Sequence, residues 1–215
     1  MSWIITGEQK YPAVIGEPFG GGYFAGYISH TADGNPTHAL IVAPRATGAT
    51  GTGYTLTTNL AWKTTNTTTA GTTSSFDGAV NTAAMVTAGI ADHPAAQFCV
   101  NLSIGGFTDW YLPSLYELDI AYFNLKPSIT SNNTASGTNL YAVPPRSTNY
   151  TSEFPKQTYI AQFAGGSERF ISINHVSSTE GVTTAAWRIN FSNGQSSLAT
   201  KTTVQNVRAF RRIAL

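Results

Sequence analysis

The segment Gly105–Leu118, with the sequence GGFTDWYLPSLYEL, constrains the fold of this 215-residue chain more than any other part of it. Its glycine pair permits a sharp turn, after which the Trp-Tyr pair is predicted to enter an apolar interior. Ser114 and Glu117 have the spacing of a capping box, in which each side chain bonds the backbone N–H of the other residue. We therefore predict a helix that begins after Ser114, ends before Pro127 and turns one apolar stripe toward a core: Leu115, Leu118, Tyr122 and Leu125.

Composition limits the classes of partner. Charged residues make up 11% of the chain and the formal net charge is +1, so the sequence predicts neither nucleic-acid binding nor a strongly charged partner. The single cysteine, Cys99, lies between apolar neighbours and is predicted to be buried, without an internal disulfide. The first residues lack the pattern of a signal peptide, and no segment is apolar enough for membrane insertion, so we expect synthesis in the cytosol.

The first third of the chain is predicted to contain a hairpin and a long loop. Residues 1–18 are predicted to form an N-terminal arm ahead of one domain, residues 19–215. Tyr23–Ile28 and Ala39–Ala43 are apolar runs on either side of a turn-forming segment, and we expect them to pair. The Gly-, Thr- and Asn-rich stretch Thr47–Ser75 is predicted to be a surface loop held by Trp62.

Two more helices are predicted before the central segment. One begins near Asp77 and ends at Gly89, with an acidic residue at its start and glycine at its end. The next is predicted to be capped by Asp92, with Pro94 in its first turn and one apolar face: Ala95, Cys99 and Leu102. After the third helix, Ser128–Gly137 is interpreted as an exposed polar loop.

The remainder of the chain is predicted to be rich in strands. Tyr159–Phe163, Arg169–Ile173 and the alternating run Trp187–Phe191 are strand candidates, and Asn193-Gly194 is a hairpin signal. The last predicted strand is Val204–Ile213.

That last strand carries three arginines. Arg208 and Arg212 are expected to share one face, with Arg211 on the opposite one. Because a buried guanidinium needs a carboxylate, we expect Arg208 to pair inside the fold with Asp109 or Glu117.

Few side chains are available for catalysis, so the sequence predicts no enzyme and no cofactor. It has four histidines, eleven carboxylates and one thiol, and no Gly-x-Ser-x-Gly or phosphate-loop motif. His30 and His38 flank the first turn and are expected to meet across the hairpin, but without a third ligand they do not predict a zinc site. His93, at a helix start, is expected to be neutral.

Several of these segments together resemble the Lcl C-terminal domain family. The central matches are Asp77-Gly78 with Asn81-Thr82, Pro94–Cys99, and Gly106–Ser114 with Glu117-Leu118. Flanking matches are Gly21–Gly26, Ala39–Pro44, Ser177–Glu180, Ala186–Gly194 and Val207-Arg208. The resemblance covers roughly residues 19 to 212.

The resemblance implies an α+β, C-type-lectin-like fold: an antiparallel sheet, two to three helices, adjacent first and last strands, and long surface loops on one side. Members of the family occur on bacterial surface proteins, including a collagen-like adhesin, and on bacteriophage tail proteins. The fold alone does not fix a function.

The chain departs from related patterns in two ways. Ala209 stands where family members often have a cysteine, so Cys99 lacks a disulfide partner, which suits assembly in a reducing cytosol. The Glu-Pro-Asn and Trp-Asn-Asp triplets of calcium-dependent animal lectins are absent from the sequence, so sugar binding of that type is not expected. Calcium held by scattered carboxylates and carbonyls stays open.

We interpret the sequence as a non-enzymatic bacteriophage virion protein, a tail-fibre or tail-associated receptor-binding module. Its expected partners are other virion subunits, including copies of itself, and a host-surface glycan or protein. Polar and aromatic loops are expected to carry recognition. The candidate ligand-binding residues are Asn149, Tyr150, Tyr159, His175, Glu180, Arg188 and Asn190. The alternatives are a structural decoration or connector protein of the virion, and a bacterial surface adhesin module.

Overall fold

The computed structural model describes residues 11–215, in which antiparallel sheets lie beside five α-helices, in agreement with the predicted mixture of helix and strand. The strands are β1 (Pro18–Phe19), β2 (Gly22–Ile28), β3 (His38–Val42), β4 (Ala49–Thr50), β5 (Leu60–Ala61), β6 (Ala142–Val143), β7 (Asn174–Val182), β8 (Ala185–Asn190), β9 (Ser196–Thr200), β10 (Val204–Gln205), β11 (Val207–Arg208) and β12 (Phe210–Ala214). The helices are α1 (Arg45–Gly48), α2 (Gly78–Gly89), α3 (Pro94–Val100), α4 (Leu115–Leu125) and α5 (Ala161–Ala164), with a 3-10 turn at Ile90–Asp92.

The predicted opening hairpin is confirmed and forms the centre of the main sheet, whose order is β1-β2-β3-β12, with β6 also pairing with β2. The register of β2 shifts between Phe24 and Gly26, and Gly26 has a φ of 133°. A Cβ at Gly26 would lie 2.5 Å from Asn124 Nδ2, so glycine is needed for α4 to approach the sheet this closely. The Nδ2 of Asn124 donates to the carbonyl of Ala25 over 2.8 Å, which joins the helix to the bulge.

The predicted final strand is instead three short strands. β10 pairs with β5, β11 pairs with β4, and β12 pairs with β3. Each segment therefore follows a different partner, and one continuous ladder over Val204–Ile213 does not form. The last strand lies beside β3, the second strand of the opening hairpin, and not beside β1.

The capping box at the start of α4 is confirmed and buried. Glu117 Oε2 accepts from the Ser114 N–H over 2.7 Å and from the Gly78 N–H over 3.2 Å, and Glu117 Oε1 accepts from the Tyr111 hydroxyl over 2.7 Å. Burial raises the pKa of Glu117 to about 7, against the opposing effect of these donors. The predicted stripe is buried at Leu118, Tyr122 and Leu125, while Leu115 is half-buried.

The two earlier helices form at the predicted places, with one correction. The Asp77 side chain accepts from the Val80 N–H and caps α2 as predicted. Asp92 does not cap α3, because it belongs to the 3-10 turn and His93 occupies the capping position without a side-chain bond. Leu102 lies beyond the end of α3 and is half-buried.

Two predicted strands do not form, and one loop predicted to be exposed is partly buried. Tyr159–Phe163 contains the start of α5, and Arg169–Ile173 has no strand pairing. Within Ser128–Gly137, three residues are buried and not exposed: Asn132, Ser136 and Gly137. The hairpin predicted at Asn193-Gly194 is confirmed as the connection between β8 and β9.

The long loop over Thr47–Ser75 contains β4 and β5 but little other regular structure. Trp62 is fully buried, and the ammonium of Lys201 lies 4.6 Å from the centre of its ring. This contact fixes the loop against the end of β9 as the sequence predicted for Trp62. Among residues 11–215, no helix has the length and apolar character that crossing a membrane would require.

The described part of the predicted arm packs on the sheet. The Gly16 N–H donates to the Phe24 carbonyl over 2.7 Å, and β1 pairs with β2. Residues 1–10 of the arm lie outside the described residues, so the boundary of the domain stays a prediction.

Candidate functional site

A surface groove of about 470 Å³ lies between the C-terminal end of α4 and the segment 154–160. Its walls include three aromatic side chains, Phe123, Phe154 and Tyr159, together with Ile15 from the N-terminal part of the chain. Large aromatic side chains are usually buried, so a row of them at the surface indicates a contact site.

The aromatic residues of the groove are unusually accessible. The side chain of Tyr159 is 96% exposed and that of Phe154 is 55% exposed. Phe123 is half-buried and meets Phe154 edge to face, with the ring centres 5.3 Å apart. An aromatic face left open to water in this way is available for stacking on the apolar face of a ligand.

The segment that carries Phe154 and Tyr159 is fixed by the buried ammonium of Lys126, at the C-terminal end of α4. Its Nζ donates to the Thr130 carbonyl over 2.6 Å, to Asn132 Oδ1 over 2.7 Å and to the Pro155 carbonyl over 3.1 Å. Asn132 Nδ2 also donates to the Pro155 carbonyl, over 2.9 Å. A cation at this end of a helix is favourable, because the helix carbonyls leave negative partial charge there.

Three further hydrogen bonds hold the same segment. The Thr158 N–H donates to the Lys126 carbonyl over 3.0 Å, and Gln157 Nε2 bridges the carbonyls of Pro127 and Ala164 over 2.8 Å and 2.9 Å. Burial lowers the pKa of Lys126, and the carboxylate of Glu153 opposes that shift. The loop side of the groove, residues 154–160, is therefore held in place by hydrogen bonds.

Phe123 is positioned from behind by a buried polar cluster. Asp119 accepts from Arg146, from the Tyr150 hydroxyl and, over 2.7 Å, from Asn139 Nδ2. The guanidinium of Arg146 lies 4.4 Å from the centre of the Phe123 ring. This cation–π contact stabilises the orientation of the Phe123 ring, which forms the α4 side of the groove.

Polar groups at the groove are neutral or basic. Asn124, Gln157 and Thr158 line it, and Lys156 adds a cation that forms no ion pair with another residue of the described chain. Stacking faces beside amide and hydroxyl groups are the combination that suits a polyhydroxylated ligand such as a saccharide.

The model of the Lcl C-terminal domain matches residues 51–211, which is more than half of the chain. The chain belongs to the Lcl C-terminal domain family. The predicted resemblance is therefore confirmed, although the match begins after the opening hairpin. No curated protein matches the chain. Membership in the Lcl family indicates an adhesin-like or phage-associated module.

Cys99 forms no disulfide in the described chain. Cys99 is a free thiol, buried in the same apolar cluster as Ala209. Burial raises the pKa of Cys99, so the thiol stays protonated and packs as a small apolar side chain.

The seven residues predicted to bind a ligand in this Lcl domain do not come together. Tyr159 alone among them lines the aromatic groove. Asn149 is exposed, and its Oδ1 accepts from the Thr138 hydroxyl over 2.8 Å. Asn190 is half-buried, and its Oδ1 accepts from the Ser192 N–H over 2.8 Å in the turn after β8. Arg188 is half-buried and lines a separate pocket.

Three of the predicted residues are buried, and each is bonded inside the fold: Tyr150, His175 and Glu180. The Tyr150 hydroxyl donates to Asp119, as described above. Burial lowers the pKa of His175 to about 3, so its ring is neutral and bonds the Tyr54 hydroxyl over 2.6 Å. Glu180 pairs with Lys201 over 2.9 Å and is not a hydrogen-bond partner of His175. These contacts remove all three from the surface that a ligand reaches.

The arginine pairing expected from the sequence is wrong. Arg208 is fully buried and pairs with Glu168 over 3.0 Å, while its Nε donates to the Ala43 carbonyl over 2.7 Å. Asp109 instead pairs with Arg211 over 2.5 Å. The Glu117 carboxylate accepts the hydrogen bonds of the capping box, so neither Asp109 nor Glu117 pairs with Arg208.

The expected meeting of His30 and His38 is confirmed, with ring centres 4.4 Å apart. Asp77 lies 3.5 Å from His30, but it is also bound by Arg212 over 2.6 Å. Burial, with help from His38 and Arg212, lowers the pKa of His30 to about 4. Among residues 11–215, no group of three or more histidine, cysteine or acidic side chains is arranged to hold a metal ion.

Sequence reasoning selected Tyr159 but missed Phe123 and Phe154. Phe123 lies near the end of α4 and is half-buried, and no local pattern distinguishes it from the buried residues of the helix. The exposure of Phe154 could have been predicted, because it follows the polar residues Thr151, Ser152 and Glu153 and belongs to no periodic apolar pattern.

Proposed function

We propose that this Lcl domain protein is a non-enzymatic receptor-binding module of a bacteriophage virion, tail-fibre or tail-associated, and that its aromatic groove binds a glycan of the host surface. The observation that carries the proposal is the row of accessible aromatic side chains, Phe123, Phe154 and Tyr159. Hydrogen bonds from Lys126 and Gln157 hold the segment that carries two of them. Family membership supports an adhesin-like or phage-associated role.

The chemistry of the groove suits a saccharide and does not suit a nucleic acid. Aromatic faces stack on the C–H face of a sugar ring, while neighbouring amides and hydroxyls bond its hydroxyl groups. The net charge of +1 gives little general attraction for a nucleic-acid backbone. The proposal includes a C-type-lectin-like fold, assembly with copies of itself and other virion subunits, and location in the virion.

The proposal is tested by binding of the purified protein to cells of the bacterial host and to an array of their surface polysaccharides. We expect saturable binding that Tyr159→Ala reduces at least about tenfold, or ~1.4 kcal/mol, because the largest open face is lost. Tyr159→Phe, which keeps the face, is expected to retain most of the binding.

The matched control is Val86→Ala, which removes an exposed apolar side chain on α2 and is expected to leave binding unchanged. Stable incorporation into particles without binding to cells or glycans would contradict the receptor role and support a decoration or connector protein. Recovery of the protein on the bacterial surface without any virion would support the adhesin alternative.

A further inference from the structure

A second pocket, of about 190 Å³, lies where the start of β7, the middle of β8 and β10 meet. It shares no lining residue with the aromatic groove. Six of its eight lining residues are polar or charged: Asn59, Asn174, Arg188, Thr203, Gln205 and Asn206. None of the described residues that line it is acidic.

Arg188 brings an uncompensated cation to this pocket. Its Nε donates to the Ser197 hydroxyl over 3.1 Å, and it forms no ion pair with a carboxylate of residues 11–215. A guanidinium offers several donors in a fixed plane that matches a carboxylate. Arg188 is half-buried, so its charge is less screened than that of a fully exposed arginine.

Gln205 brings an unsatisfied acceptor. Its side chain is 5% exposed, and its Oε1 is buried without a hydrogen-bond partner in the described chain. A buried carbonyl oxygen without a donor is unfavourable, so a ligand in the pocket that supplies a donor favours rotation of this oxygen toward it. Asn206 also has an unpaired oxygen, but a Cβ at Gly51 would lie 2.3 Å from it, so that oxygen packs against backbone.

We propose that this pocket binds a small polyhydroxylated carboxylate, the chemistry of a uronic acid. The carboxylate bonds the guanidinium of Arg188, and the Gln205 side chain rotates so that its Oε1 accepts from a hydroxyl of the ligand. Hydroxyl donors fit better than an ammonium group, since no acidic side chain of the lining balances a second cation beside Arg188. Ile173 and Val204, both exposed at the rim, provide apolar surface for the C–H face of the ring.

The test is a titration of the whole protein with D-glucuronate and, in parallel, with D-glucose, followed by NMR chemical shifts or calorimetry. We expect saturable binding of D-glucuronate at least tenfold tighter than that of D-glucose. Arg188→Gln and Gln205→Leu are each expected to weaken D-glucuronate binding at least tenfold. Arg188→Lys keeps the charge and is expected to fall between the wild type and Arg188→Gln.

Thermal unfolding of each variant separates loss of the pocket from loss of the fold. Tyr159→Ala serves as the control for the groove and is expected to leave D-glucuronate binding unchanged, so the two sites fail independently. No saturable binding of D-glucuronate, equal binding of D-glucose, or a folded Arg188→Gln that binds as the wild type does would each overturn the proposal.

Discussion

Replacing Lys126 by methionine tests whether the groove depends on the buried ammonium beneath it. Methionine keeps an unbranched apolar side chain and removes the charge together with three hydrogen bonds. Two of the three acceptors keep another donor, because the Tyr122 hydroxyl bonds Asn132 Oδ1 and Asn132 Nδ2 bonds the Pro155 carbonyl. Within residues 11–215, the Thr130 carbonyl has no second donor of this kind.

The expected loss of stability in Lys126→Met follows from the number of hydrogen bonds removed. Hydrogen bonds to a charged group contribute about 1.5–3 kcal/mol each, and part of that is returned because the ammonium no longer has to be desolvated. Lys126→Met leaves the Thr130 carbonyl without this donor and removes one of two donors from Asn132 Oδ1 and from the Pro155 carbonyl. We therefore expect the free energy of unfolding to fall by about 2–4 kcal/mol. For a chain of this length the unfolding midpoint is expected to fall by about 4–16 °C.

Urea unfolding of the wild type, Lys126→Met and Lys156→Met at one pH measures these differences directly. Lys156→Met is the matched control, because Lys156 is exposed and unpaired within the described chain, and its effect is expected to stay within about 0.5 kcal/mol. Lys126→Met is also expected to weaken binding at the groove. A loss below about 1 kcal/mol in Lys126→Met would refute the claim that this ammonium supports segment 154–160.

Two further predictions concern buried charges. Arg208→Ala is expected to cost about 3–5 kcal/mol in urea unfolding, because Glu168 is left without its ion-pair partner, and an unchanged stability would show that the pair is not structural. The folded-state pKa of Glu117, about 7, lies above its value in an unfolded chain, so its contribution to stability is present at low pH and lost as pH rises through 7. Relative to Glu117→Gln, the wild type should therefore lose stability between pH 5 and pH 8, and parallel pH profiles would contradict this.

Those parts of the fold that local chemistry specifies could be predicted from the sequence. The Ser114 and Glu117 pair caps α4, and Asp77 caps α2, because a cap depends on residues three or four apart. The hairpin of β2 and β3 follows from two apolar runs around a turn. Each of these features is decided within a short window of the chain.

Features that depend on distant partners could not be predicted. The run Tyr159–Phe163 fits both a strand and a helical turn, and the helical turn is observed, with Ile160 and Phe163 packing against the core and Gln162 bonding the Gly16 carbonyl. Arg208 pairs with Glu168, which lies in the polar stretch Gly165–Arg169, and no local pattern predicts its burial.

The candidate site shows the same division. Polar and aromatic loops are expected to carry recognition, which predicts Tyr159, but its partners across the groove, Phe123 and Ile15, come from distant parts of the chain. His175 and Glu180 are predicted ligand-binding residues, but their partners, Tyr54 and Lys201, lie in other segments and bury them. Burial of a polar side chain depends on such partners, and the local sequence does not specify them.

The affinity of the protein for host-surface polysaccharide, with and without the two most exposed rings, tests the central claim most directly. Biolayer interferometry would compare the wild type with the double variant Phe154→Ala/Tyr159→Ala, after unfolding curves have shown that both are folded. The account predicts saturable binding by the wild type and a loss of at least about a hundredfold, or ~2.8 kcal/mol, in the double variant. Equal affinity of the two proteins would contradict the assignment of the aromatic groove as the glycan-binding site.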